Sequence, residues 1–154
     1  MKKNVRDKAL SILERKDQTE HQMTTALTDA GYFEEETSNT VEWLKELGYI
    51  DDLDYAKRYL EVLVAKGRGR MRIRQEMSKR GLSGEDVINI IDDGLSPELE
   101  RENALKIAVK LKDSLPEDIE KQKLMRKLSS KLVTQGYSYD IVNSVINSVV
   151  NTND

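Results

Sequence analysis

Apolar positions in this chain recur three and four residues apart, in runs broken by glycine. Met23 and Leu27, Ile73 and Met77, and Leu128 and Leu132 are three pairs with the same spacing. Residues four apart share one face of a helix. Four residues after each pair stands a glycine: Gly31, Gly81 and Gly136, which lie 50 and 55 residues apart. Aligning the glycines aligns more of the chain. Tyr32, Leu82 and Tyr137 follow directly, and Val41, Ile91 and Ile146 fall ten residues later. Glycine takes the left-handed conformation that ends a helix at little cost, and the apolar residue after it packs back on the last turn. The +10 residue then belongs to a further helix.

Each unit also has a helix upstream. Its apolar side is Val5, Ala9, Leu10 and Leu13 in the first unit, and Tyr55, Ala56, Tyr59, Leu60 and Leu63 in the second. In the third it is Leu99, Ala104, Leu105, Ala108 and Leu111. Ser96 before Pro97 marks where that last helix starts, with serine as N-cap and proline at the first helical position. Leu115-Pro116 breaks the connection that follows. Alternating β-branched runs are nearly absent, and Val142, Val145, Ile146 and Val149 have helical spacing. The pattern predicts an all-α protein: three tandem three-helix repeats, at 1–50, 51–95 and 96–154. A unit of about 50 residues buries little apolar surface alone, so the units must stack and share contacts, giving an elongated, curved body.

Composition supports a thin core. Of 154 residues, 38% are hydrophobic and 34% charged, respectively below and above the globular average. No cysteine is present, which excludes disulfides and thiolate metal sites and agrees with a reducing, cytoplasmic setting. No apolar run approaches the roughly 18 residues of a membrane span, so no membrane partner is expected. Nor does the charged N-terminus resemble a secretory signal. The net charge of −3 argues against a globally basic nucleic-acid binder but hides a bipolar distribution. Residues 29–54 carry nine acids against Lys45, while residues 66–80 carry seven bases against Glu76.

Candidate chemistry is sparse. His21 is the single histidine and lacks companions for a metal site, so it reads as a surface helix residue. Gly67-Arg68-Gly69 lacks the Lys-Ser/Thr sequel of a phosphate loop. Asp51, Asp52 and Asp54 lack the rest of a calcium-ligand ladder. Asp51 or Asp52 instead suits the N-cap of the helix beginning near Leu53. Trp43, Leu44 and Leu47 read as core. No catalytic residue, metal or cofactor is expected.

The basic stretch asks for a partner. With Ile73 and Met77 on the buried face, Arg72, Gln75 and Lys79 fall on the opposite, exposed face, and Arg70 and Arg74 along one flank. Close like charges repel, and a merely solvated face would mix signs. Lys66, Arg68, Arg70, Arg72, Arg74, Lys79 and Arg80 therefore form the candidate contact surface, toward nucleic-acid phosphate or an acidic protein surface. No aromatic residue interleaves with them, so base stacking is not supported. Lys121, Lys123, Arg126, Lys127 and Lys131 form a weaker, secondary basic surface.

Gly48-Tyr49-Ile50-Asp51-Asp52, then Tyr55-Ala56, Lys66-Gly67, Arg72-Ile73, Glu76-Met77 and Gly81-Leu82 resemble the RecX family of bacterial recombination regulators. The likeness runs through Gly136-Tyr-Ser-Tyr-Asp-Ile141. It implies tandem three-helix repeats. It also implies a non-enzymatic regulator that binds the RecA filament on single-stranded DNA. Such a regulator restrains ATP hydrolysis, strand exchange and the co-protease step of the SOS response. Separately, the chain is expected to be a cytoplasmic monomer. Two departures stand out: the first unit starts almost at Met1, and Gly69-Arg70-Met71 replaces a proline many members carry before the basic helix. The residues alone leave two rivals, a stand-alone nucleic-acid-binding helical module and a helical scaffold for another protein.

Overall fold

The computed structural model describes residues 2–151. Met1 and residues 152–154, the end of the expected third unit, lie outside the described residues. Nine helices and no strand occur among them: α1 (Val5–Arg15), α2 (Glu20–Asp29), α3 (Glu34–Glu46), α4 (Asp52–Ala65), α5 (Arg70–Lys79), α6 (Glu85–Gly94), α7 (Pro97–Asp113), α8 (Lys121–Gln135) and α9 (Tyr139–Asn151). None is long and apolar enough to cross a membrane.

Local chemistry sets the boundaries. Asn4, Thr19, Asp51 and Ser96 each accept a backbone N–H at the start of α1, α2, α4 and α7, and Pro97 opens α7. Gly31, Gly81 and Gly136 all have positive φ, at 92°, 79° and 97°. Each closes its helix by the same pair of bonds. The glycine N–H returns to Thr28, Ser78 or Val133, and the next N–H returns to Leu27, Met77 or Leu132. That pair of hydrogen bonds is the Schellman closure.

The apolar residues gather into three clusters. Ala9, Met23, Leu27, Tyr32, Val41, Leu44 and Ile50 form the first. Tyr55, Ala56, Leu60, Leu63, Ile73, Met77, Leu82, Val87, Ile91 and Leu95 form the second. Ala104, Ala108 and apolar residues of α8 and α9, from Leu124 to Val149, form the third. The main helix contacts stay within the triplets α1–α3, α4–α6 and α7–α9. The accessible surface is 9898 Å², against about 8,000 Å² for a compact monomer of this length. That excess is what an elongated, curved row of small helical units produces. Two apolar expectations change. Leu47, expected in the core, is 48% exposed, because it follows α3 beside the Gly48 turn. Leu99 starts α7 but packs against the second cluster.

The middle helices meet end to end. At the α8–α5 junction, the Gly69 N–H donates to the Gln135 carbonyl (2.8 Å) and the Met71 N–H to the Gly136 carbonyl (3.1 Å). At the α5–α2 junction, the Thr19 hydroxyl donates to the Arg80 carbonyl (2.6 Å). In both places the donor-rich start of one helix meets the acceptor-rich end of another, which satisfies groups a lone helix leaves unpaired.

Candidate partner-binding surface

The basic stretch begins where α4 turns into α5. Gly69 is the N-cap of α5, and its environment explains the Gly67-Arg68-Gly69 sequence. A Cβ on Gly69 would lie 2.6 Å from the Gly136 carbonyl carbon and the Tyr137 nitrogen. Backbone therefore passes against backbone here, and glycine is required for close approach rather than for phosphate binding. The Tyr137 hydroxyl donates to the Gly67 carbonyl (2.7 Å) and ties the same turn to the third unit.

Beside it sits a buried carboxylate that the sequence did not single out. Glu100 is 5% exposed and accepts the Arg70 N–H at 2.7 Å. The first unit uses the same device: Asp52 accepts the Glu20 N–H at 2.9 Å. In each case the first N–H of a middle helix donates to an acid from the first turn of the next unit's first helix. A carboxylate at a helix N-terminus is favoured by the helix dipole and by the charged hydrogen bond. Asp51 caps α4 itself, so the paired aspartates divide two tasks. Burial pushes the Asp52 carboxyl up, and the Glu20 N–H opposes that shift. Burial lifts the Tyr137 hydroxyl to about 12, Glu100 adds to the rise, and Arg68 opposes it.

The seven bases do not form one open face. Arg68 donates to the Gln135 side chain (2.6 Å). Arg70 pairs with Asp92 and donates to the Leu95 carbonyl (3.0 Å). Arg72, expected on the exposed face, is half-buried and donates to the Thr134 carbonyl (3.2 Å). The cause is the α8–α5 junction, whose Gly136 backbone passes against the Arg72 Cβ. Arg80 donates to the Tyr55 hydroxyl, with its guanidinium 3.8 Å from the Tyr59 ring centre. Such stacking favours arginine. Lys66, Arg74 and Lys79 are the exposed members. Lys79 reaches Glu76 at 3.5 Å yet keeps 72% of its side chain in solvent.

The secondary surface is open. Lys121, Lys123, Arg126, Lys127 and Lys131 are all exposed along α8, and none is in an ion pair among the described residues. His21 is exposed on α2, where its Cβ approaches the Gly81 backbone, so it serves the α5–α2 junction. No group of acids and histidine able to hold a metal occurs among the described residues. Sequence reasoning missed Glu100, Asp92 and Gln135, whose partners lie 22 to 67 residues away. Only a second carboxylate in the first turn of α7 hinted at Glu100, and that is also an ordinary helix-dipole preference.

Residues 51–87 match the family model described as the second three-helix domain of RecX. The chain is similar to the regulatory protein RecX of Clostridium botulinum (strain Alaska E43 / Type E3), 36% identical over 110 residues, covering 71% of this chain and 51% of that one. It is also similar to the regulatory protein RecX of Vibrio vulnificus (strain CMCP6), 37% identical over 84 residues, 54% of this chain and 55% of that one. The chain thus spans about half the length of the curated relatives it matches. Among solved structures it is similar to the crystal structure of RecX from Lactobacillus salivarius, with a TM-score of 0.77, 26% identity and 94% of each chain covered. The repeat geometry, the middle unit and these likenesses agree, and the chain belongs to the RecX family.

Proposed function

We propose that this chain is a regulator that binds the RecA–single-stranded-DNA filament and inhibits its ATPase, strand-exchange and co-protease activities. It acts through binding and carries no catalysis of its own. The observation that carries the reading is the middle unit, matched to a RecX three-helix domain, set at the centre of an end-to-end row of helices. An elongated body of this kind suits a groove that repeats along a filament, because extended helical arrays bind along their length. In this reading the units at 1–50, 51–95 and 96–154 are the three modules, and the protein works as a cytoplasmic monomer. Lys66, Arg74 and Lys79 supply the middle unit's contact with acidic protein surface or DNA phosphate. Arg68, Arg70, Arg72 and Arg80 hold the units in register behind them.

The test is the ATPase rate of RecA on single-stranded DNA, titrated with this protein at low salt. Inhibition at substoichiometric ratio supports the reading, and full activity at equimolar protein sinks it. A second reading, a stand-alone nucleic-acid-binding module, is favoured by the open cations of α8. Tight DNA binding at physiological salt without RecA would select it, since phosphate contacts alone weaken steeply as salt rises.

A further inference from the structure

We propose that the cleft between α7, α8 and the end of α4 binds a phosphate group through Lys66, Lys110 and Lys131. This deepens the DNA side of the function proposed above, but it stands or falls without the filament. The three lysines lie 21 to 65 residues apart in sequence and line one cavity of about 340 Å³. Ile107 and Leu111 form its apolar wall, and no acid lines it. None of the three lysines is in an ion pair among the described residues, whereas Lys45, Arg58, Arg70, Arg72 and Lys79 all are.

Three ammonium groups around one cavity repel one another, and an oxyanion removes that cost. Gln135 also lines the cavity. Its side-chain oxygen accepts from Arg68, which leaves the amide hydrogens as donors and holds a fourth cation alongside. The bland account of such lysines is compensation of helix C-terminal dipoles. It covers Lys66, the C-cap of α4, and Lys110, in the last turn of α7. It does not cover Lys131, which stands a turn before the end of α8. Lys106 and Lys127 lie one turn from Lys110 and Lys131 and are exposed, so the positive surface continues beyond the cleft. The apolar wall suits the sugar of a nucleotide next to its phosphate.

The experiment compares the full chain, the triple variant Lys66→Gln/Lys110→Gln/Lys131→Gln, and a charge-matched control, Lys3→Gln/Lys16→Gln/Lys57→Gln. The readouts are anisotropy of a short fluorescein-labelled oligothymidylate and calorimetric titration with inorganic pyrophosphate, both without RecA. The expected result is about tenfold weaker oligonucleotide binding in the cleft variant, and a change within about twofold in the control, because exposed charges far from the ligand are screened. Restoring charge with Lys66→Arg/Lys110→Arg/Lys131→Arg should recover most of the affinity. Pyrophosphate binding without oligonucleotide binding assigns the cleft to a free phosphate compound and still supports it. Equal losses in both triple variants, or no binding of either probe by the parent chain, overturns it. Circular dichroism separates these outcomes from unfolding. Full RecA activity in the presence of the parent chain, with its phosphate binding intact, would refute the filament reading alone.

Discussion

Glu100→Ala tests whether a buried acid locks the second unit to the third. The side chain accepts the Arg70 N–H at 2.7 Å and sits at the start of α5, where the helix dipole favours negative charge. A hydrogen bond to a charged group contributes roughly 1.5–3 kcal/mol, and the dipole adds about 0.3–1 kcal/mol. Releasing a carboxylate from burial returns part of that sum, so the expected net loss is about 2 kcal/mol. For a chain of this size that lowers the melting temperature by about 4–8 °C. Glu100→Gln keeps an acceptor and loses the charge, and should cost about half as much. Stacked repeats can melt piecewise, so the sharper assay is hydrogen exchange at the Arg70 amide, which should lose protection before amides inside α8. Glu100 also helps raise the Tyr137 hydroxyl, so Glu100→Gln should move that titration downward while burial keeps it above the usual tyrosine value. An unchanged melting temperature together with full protection of the Arg70 amide would refute the clamp.

The division of the basic stretch leads to opposite outcomes within it. Lys66→Glu/Arg74→Glu/Lys79→Glu should remove RecA ATPase inhibition and leave the melting curve in place. Arg70→Glu should lower stability, because it loses Asp92 and the Leu95 carbonyl; equal melting temperatures for both variants would contradict the assignment. Gly136→Ala should destabilise by roughly 1–3 kcal/mol from backbone strain alone. Its φ is 97° and its new methyl would lie 2.3 Å from the Arg72 Cβ; a fully stable variant in chemical denaturation would argue against the α8–α5 junction. Tyr137 should make the protein sensitive to alkali. Its hydroxyl titrates near 12 when folded and near 10 when unfolded, so between those values only the unfolded state gives up the proton. Stability therefore falls as pH rises through that window, by at most roughly 2–3 kcal/mol. Tyr137→Phe should abolish this part of the fall while costing about 1 kcal/mol at neutral pH for the lost bond to Gly67; an identical alkaline profile would count against it.

Helices were legible in the sequence because their signals are local. The spacing of Ile73 and Met77, the cap at Ser96-Pro97 and the glycine at 136 each act within a few residues, and local preference agrees with packing there. The contact surface was harder to read for the same reason. Helical geometry put Arg72 opposite Ile73 and therefore outside the core of its own unit, which is correct. It carries no information about a neighbouring unit, and Arg72 meets α8 across that second boundary. Lys110 shows the converse. Within α7 it is one lysine among several near a helix end, where cations are common. Only the fold brings it beside Lys66 and Lys131.

The end-to-end row of middle helices gives the repeated glycine a second reason to exist. Ending a helix requires Gly31, Gly81 and Gly136 alike, but the last two also stand at junctions. A Cβ at Gly81 would meet His21 at 2.2 Å, and one at Gly136 would meet Arg72 at 2.3 Å. Among the described residues no further middle helix arrives at Gly31. The Gly31 carbonyl accepts from the Lys2 ammonium at 2.8 Å, and among the described residues a Cβ there would find only that Lys2 nitrogen, at 3.5 Å. Substitution by alanine should therefore separate the two reasons. Gly31→Ala meets strain from its positive φ alone. Gly81→Ala and Gly136→Ala meet the same strain and must also push two helices apart. The difference in unfolding free energy between Gly31→Ala and the other two variants then measures the junctions, with the helix cap cancelling. A difference near zero would mean that the middle helices touch without depending on each other. A clear difference would show that α8, α5 and α2 act as one continuous support, on which the exposed Arg74 and Lys79 are carried.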